Sequence, residues 1–202
     1  MRQGIRWQEN AGCVLPSACS ASWKTYDSVP DGNGLRIAIV ACRDNRSVVE
    51  HIVRNAQERL RKHGVADGDM TTIVSPSAFA LLPLVKWAIA APEYDAVLAI
   101  AAIVGDAGTT VDAPVVGNGL NHLLRFSNKP VGMGVLVADS PEEARSQLGT
   151  PEGTGETAAV SILELCNIHK QMGEAWRTSG NNENGSAHCH SPQTRLNSST
   201  PP

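Results

Sequence analysis

The chain of 202 residues predicts an α/β protein, a three-layer α/β/α sandwich around a four-stranded parallel sheet. Three observations predict it. A continuous apolar run at 94–104 is bounded by turn residues and reads as a strand buried on both faces. Shorter apolar runs of strand length stand at 35–42, 71–75 and 130–138. Helical patterning intervenes between successive runs, and such alternation implies right-handed crossovers and a parallel sheet.

Residues 1–33 lack sustained periodicity and end in Pro30-Asp31-Gly32-Asn33-Gly34, a strong turn signal taken as the boundary of an N-terminal extension, a short leading strand or a partly disordered arm. The first strand, 35–42, stops at the polar corner Arg43-Asp44-Asn45-Arg46. Ser47 and Glu50 have capping-box spacing and start a helix whose Val48, Val49, Ile52, Val53, Ala56 and Leu60 form one apolar stripe. Arg61, Lys62 and His63 complement its negative end, and Gly64 terminates it; His51 and His63 read as surface residues. After the strand at 71–75, the corner Pro76-Ser77-Ala78-Phe79 leads into a helix to about Ala91, with Pro83 tolerable only in the first turn. Pro92 and Glu93 turn the chain into the central strand.

Gly105-Asp106-Ala107-Gly108-Thr109-Thr110 follows that strand as an expected loop. Asp112 is the expected N-cap of the next helix, with Pro114 in its first turn and Val115, Val116, Leu120, Leu123 and Leu124 as its stripe. Strand, glycine-bearing loop and helix N-terminus together suit an anion. In the fourth strand Gly132 and Gly134 permit close approach of a neighbour. Ser140-Pro141-Glu142-Glu143 is a second capping box, starting a short helix that ends near Leu148-Gly149. A last helix at 157–176 carries Ala158, Ile162, Leu165 and Ile168. The domain therefore spans 34–176, and 177–202 reads as a disordered polar tail. Its His188-Cys189-His190 lacks a partner pair at zinc-site spacing, so no metal is expected.

With a formal charge of −3 and basic residues neither in excess nor in blocks, the chain has no footprint for nucleic acid or an anionic membrane. No apolar run is long enough to span a bilayer. Five scattered cysteines, two of them (Cys42 and Cys166) inside apolar segments, read as reduced thiols in a cytoplasmic protein. Arg2, Arg6 and Lys24 are too sparse for a clear transit peptide, which leaves organellar import open. Ligands of such sheets collect at the carboxyl ends of the strands, here Arg43 to Asn45, Ser75 to Ala80, Val104 to Thr110 and Val137 to Ser140.

In order and spacing these segments resemble the lumazine synthase family over about residues 34–170. The resemblance rests on Gly34-Leu35-Arg36-Ile37-Ala38-Ile39-Val40, on Pro76-Ser77-Ala78-Phe79, on Tyr94-Asp95-Ala96-Val97 and on the strand-loop-helix with Thr109 and Thr110. Pro130-Val131, Gly134-Val135-Leu136, Glu142-Glu143-Ala144 with Gly149, Ala158-Ala159-Val160 and Glu164-Leu165 complete it. It implies a flavodoxin-like subunit that condenses 5-amino-6-ribitylaminouracil with 3,4-dihydroxy-2-butanone 4-phosphate, with no metal or organic cofactor. It also implies a homo-oligomer, a pentamer or larger, with each site shared between subunits.

Carried over residue by residue, the resemblance places Asp44 where the family has a ring-stacking aromatic, and Asn45 matches. Ala78 and Phe79 match at the second corner, while Ala80 replaces a glutamate that bonds the ribityl chain. Ala102, Ile103 and Val104 fall where backbone contacts the pyrimidine. Gly108 and Thr109 fall at the phosphate grip, Met133 at an aromatic and Gln147 at the phosphate-binding arginine. The acid/base histidine falls on Thr110 or Val111. A charge-assisted hydrogen bond contributes about 1.5–3 kcal/mol, and a positioned acid/base typically about 10²–10⁴ in rate. The resemblance thus implies a synthase activity that is weak or lost, or a non-catalytic ligand-binding or assembly subunit, which would co-assemble with an active homologue. A rebuilt site using Arg43, Arg46 or Lys86 is the competing reading. A phospho-acceptor receiver domain is disfavoured, because Asp44 and Asp106 lack the acidic cluster and fifth-strand lysine it needs.

Overall fold

The computed structural model describes residues 26–148 and 153–180, the side chains of 106–112 and 175–180 excepted. Four strands, β1 (Ile37–Cys42), β2 (Met70–Ser75), β3 (Ala96–Val104) and β4 (Val131–Ala138), form one parallel sheet in the order β2-β1-β3-β4. Helices α1 (Arg46–Lys62), α4 (Pro141–Leu148) and α5 (Thr154–Gly180) cover one face, and α2 (Leu81–Ala90) and α3 (Asp106–Leu124) the other. This is the expected flavodoxin-like sandwich.

Strand periodicity assigns the faces. Ile37, Ile39, Leu98, Ile100 and Leu136 point to the α1/α5 side, whereas Ala38, Val40, Val97, Ala99 and Val131 point to the α2/α3 side. β1 and β3 lie in the middle and are apolar at almost every position, as burial on both faces requires. β2 is an edge strand with Thr71, Thr72 and Val74 exposed.

α1 buries Val48, Val49, Ile52, Ala56 and Leu60, close to the expected stripe. The expected Ser47–Glu50 capping box does not form. Asn45, left-handed at φ 51, is the N-cap and makes no side-chain cap bond, so Ser47 falls inside the first turn. Glu50 instead accepts from Arg46 Nε at 2.7 Å, the charge-assisted bond displacing the cap. At the far end Gly64 N–H donates to Arg61 O and Val65 N–H to Leu60 O, a Schellman turn that needs the positive φ of Gly64. Pro83 lies in the first turn of α2, where its missing N–H costs nothing.

α3 departs most from expectation. It begins at Asp106 with Gly105 as N-cap, so the stretch read as a loop is helical and Pro114 lies inside the helix. Asp112 and Pro114 imitate a start signal, but the chain turns earlier, where Gly105 adopts φ 131 and its N–H donates to Ala138 O. Val116 and Leu120 are buried, whereas Val115 is exposed. Of the second capping box the serine half forms, Glu143 N–H donating to Ser140 Oγ at 3.1 Å, while Glu143 Oε2 reaches one residue further back and accepts from Asp139 N–H at 2.8 Å.

α5 starts earlier than expected and runs to Gly180, into the stretch read as a tail. Its buried face is Ala158, Ala159, Ile162, Leu163 and Cys166, with Leu165 exposed, a correction to the expected stripe. A Cβ on Gly155 would lie 2.3 Å from Ile52 O, and one on Gly132 2.9 Å from Leu98 Cδ1. Here α5 sinks onto α1 and the sheet, as the bare backbone of the fourth strand permits. Residues 27–31 run along α5, whose Glu164 O accepts from Ser28 Oγ while Asn167 and Gln171 amides donate to carbonyls of Val29, Asp31 and Asp27. The turn at Asn33 and Gly34 forms, and Gly32 is buried against Val65. His188, Cys189 and His190 lie outside the described residues.

Candidate functional site

The carboxyl ends of the strands are laced together by hydrogen bonds. Arg43 N–H donates to Ser75 O at 2.8 Å, and Gly105 N–H to Ala138 O at 3.1 Å, joining β1 to β2 and β3 to β4. Asn45 Nδ2 donates to Ala102 O at 2.9 Å, joining the corner after β1 to the end of β3. Asp44 Oδ2 accepts from Ala78 N–H at 3.2 Å, tying that corner to the turn after β2. Asp44 N–H in turn donates to Cys42 Sγ at 3.3 Å. Burial raises the Cys42 pKa above its ordinary value, against a lowering by the hydrogen bond from the Asp44 N–H, so the thiol stays protonated at neutral pH and is a poor nucleophile.

The corner after β2 is fixed by serine. Ser75 Oγ donates to Ser77 O at 2.7 Å, and Ser77 Oγ accepts from Ala80 N–H at 3.2 Å. This rigid turn leaves Ala78 buried and Phe79 48% exposed at the mouth of the α2/α3 side. Ala80 is half-buried and offers no side-chain donor or acceptor. Ile103 is buried and Val104 partly so, which leaves their backbone as the polar surface at the end of β3. Ser77 is a positioning residue that pattern reading missed; a serine two residues after a strand and three before a helix amide is the signal.

Gly108 and Thr109 lie in the first turn of α3, and Thr110 and Val111 follow in the same helix. Their side chains are outside the description. The first four amides of a helix, here those from Gly105 to Gly108, have no intrahelical partner, and that of Gly105 is taken by Ala138 O. Gln147 Nε2 donates to Val137 O and to Glu143 Oε1, both at 3.3 Å, and so pins α4 to the end of β4. Met133 is 44% exposed on the α2/α3 side of β4, paired in register with Ala99, near the start of the strand and away from the carboxyl ends of the sheet. Arg43 and Arg46 turn to the other face, into a groove beneath α1, and Lys86 is exposed on α2. Among the described residues no group of three or more His, Cys, Asp or Glu is placed to hold a metal ion, and no helix is long and apolar enough to cross a membrane.

The chain, folded as a parallel 2-1-3-4 sheet, is matched over residues 34–170 by the family model of 6,7-dimethyl-8-ribityllumazine synthase. The chain belongs to the lumazine synthase family. A lumazine synthase of Anaeromyxobacter dehalogenans (strain 2CP-C) is 33% identical over 153 residues, which cover 74% of this chain and 94% of that protein. One of Nitratidesulfovibrio vulgaris (strain DSM 19637 / Miyazaki F) is 35% identical over 153 residues, 74% of this chain and 97% of its own. One of Lactiplantibacillus plantarum is 31% identical over 151 residues, 73% and 95% of the two chains. The match covers the sheet, α1 to α4 and α5 as far as residue 170, and leaves outside it the N-terminal arm and the end of α5.

Proposed function

We propose that this lumazine synthase-family chain retains a pocket for a ribityl-pyrimidine but condenses it with the phosphorylated butanone feebly or not at all. The observation that carries the reading is the state of Gln147 and Asp44. At the position where the resemblance expects a phosphate-gripping arginine, a neutral amide is spent on Val137 O and Glu143. Where it expects a stacking ring, a carboxylate binds the Ala78 N–H. Neither group contributes a cation to a phosphate dianion, and Asp44 repels one. The residues expected at the acid/base position, Thr110 and Val111, have no side chain that titrates near neutrality.

What remains suits binding. The backbone of Ile103 and Val104, the corner at Phe79 and the first turn of α3 through Gly108 offer donors and acceptors without formal charge. The reading also includes a homo-oligomer. β2 and β4 are opposite edges of the sheet, three strand spacings or about 14 Å apart, so Met133 and Gln147 of one copy do not close the pocket over Phe79 of the same copy. A second copy would bring them there, in a pentamer or a larger assembly. Titration of the full chain with a ribityl-pyrimidine tests the binding half of the proposal. Saturable binding at one site per chain is expected, and absence of binding from a correctly assembled oligomer would overturn it.

The alternative, an architectural subunit without a ligand, is favoured only by the exposed apolar side chains of Phe79, Trp87, Met133 and Val137. Those serve either reading. Copurification with a histidine-bearing homologue, together with failure to bind the ribityl-pyrimidine, would select the architectural one.

A further inference from the structure

On the face of the sheet away from the proposed pocket, a groove of about 620 Å³ runs between α1 and the edge strand β2. Val49, Val53 and Val74 line its apolar part, and Val74 is 62% exposed because α1 does not reach over β2. Its polar margin carries Arg43, Arg46 and Arg54 against a single acid, Glu50. Glu50 pairs with Arg46, whereas Arg43 and Arg54 have no ion pair among the described residues. Three guanidinium groups and one carboxylate leave a local surplus of two positive charges on a chain whose net charge is −3. Gln57 and Thr72, bonded to each other at 3.3 Å, also line the groove.

We propose that this groove binds a small amphipathic anion, an aliphatic body ending in a carboxylate or phosphate. Its volume lies within the usual range for small-molecule sites. No aromatic side chain lines it, so a base or other flat ring finds nothing to stack on, whereas a valine surface accepts an alkyl chain by simple burial. The two unpaired arginines present planar forks suited to an oxyanion, and their attraction for it is the force that fixes the head group. An acidic peptide adding to β2 is the competing occupant. The groove disfavours it, because the concavity lies over the face of the sheet beneath α1 and not beside the outer edge of β2.

Octyl phosphate, titrated calorimetrically into the full-length oligomer below its micelle concentration, is the probe. The expected result is saturable binding at one site per chain, with exchange protection confined to residues 43–57 and 70–75. Arg43→Gln with Arg54→Gln, both exposed and outside the proposed pocket, should weaken binding at least about tenfold. Octanol and inorganic phosphate, each carrying half of the ligand, should bind at least about tenfold more weakly than octyl phosphate. A ribityl-pyrimidine should not compete, whether or not it binds elsewhere. Absence of saturable octyl phosphate binding, or equal affinity in the double variant, would overturn the proposal. So would protection of the β2 edge by an acidic peptide where octyl phosphate gives none.

Discussion

Beneath α5 the packing closes until backbone meets backbone, with Gly155 against Ile52 of α1 and Gly132 against Ala158 of α5, while on the α2/α3 side Met133 and Val137 of β4 remain 44% and 42% exposed. Phe79, Trp87 and Val115 are exposed on that same side. The alternation in β1 and β3 fills both faces equally, so the difference arises at β4 and in the helices. On one side Gly132 and Gly134 let α5 sink onto β4; on the other, Met133 and Val137 stay exposed although α3 packs against the strand. Over β4 one face is finished within a single chain, and the other is finished by a second copy in the proposed assembly.

Ile162→Ala on the closed face should give the largest effect, about 3 kcal/mol of lost stability by chemical denaturation, because a fully buried side chain leaves a cavity. Gly155→Val should cost about as much by overpacking against the α1 backbone. On the open face Met133→Lys with Val137→Lys should leave the circular dichroism of the fold unchanged. Light scattering should nevertheless find smaller particles. Native assembly in that variant would break the comparison.

Cys166 sharpens the account of the closed face through pH. Burial, with a smaller contribution from the Asp95 charge, pushes its pKa from 9.0 to about 12. The neutral thiol is favoured in the folded state, so its contribution is complete below pH 9 and is lost as pH rises from there toward 12. Stability of the native protein should fall over that interval, and Cys166→Ala should flatten the fall although it lowers stability at pH 7.

The smallest effects separate the two helix starts. Ser140→Ala should cost about 1 kcal/mol, because its hydroxyl caps α4. Ser47→Ala should change stability by less than about 0.5 kcal/mol, as expected of an exposed residue with no cap bond. Thermal melts of the two variants would distinguish them.

These two serines also mark how far the sequence could be read. Both head a Ser-x-x-Glu pattern, but only at Ser140 does the chain enter the helix at that residue; at Ser47 an earlier start at Arg46 and the Arg46–Glu50 pair displace the cap. Apolar runs located all four strands, since burial on both sides leaves few choices of residue. The start of α3 was illegible because Asp112 and Pro114 carry the local signals of an N-terminus, while the actual turn depends on Gly105 and its bond to β4. The phase of α5 was misjudged at Leu165 because Leu163, two residues away, is equally apolar. At the strand ends pattern reading identified the corners but not their wiring. The Asp44–Ala78 contact joins residues 34 positions apart and depends on the pairing of β1 with β2.

The central claim is that the family's scaffold persists here while the groups expected to handle the phosphorylated reactant have been replaced. Its most direct test follows the absorbance of 6,7-dimethyl-8-ribityllumazine formed from both substrates by the unmodified chain, beside a variant carrying Gln147→Arg with histidine at position 110 or 111. The account predicts a rate little above the spontaneous background for the former and a gain in the latter; rapid turnover by the unmodified chain would contradict it.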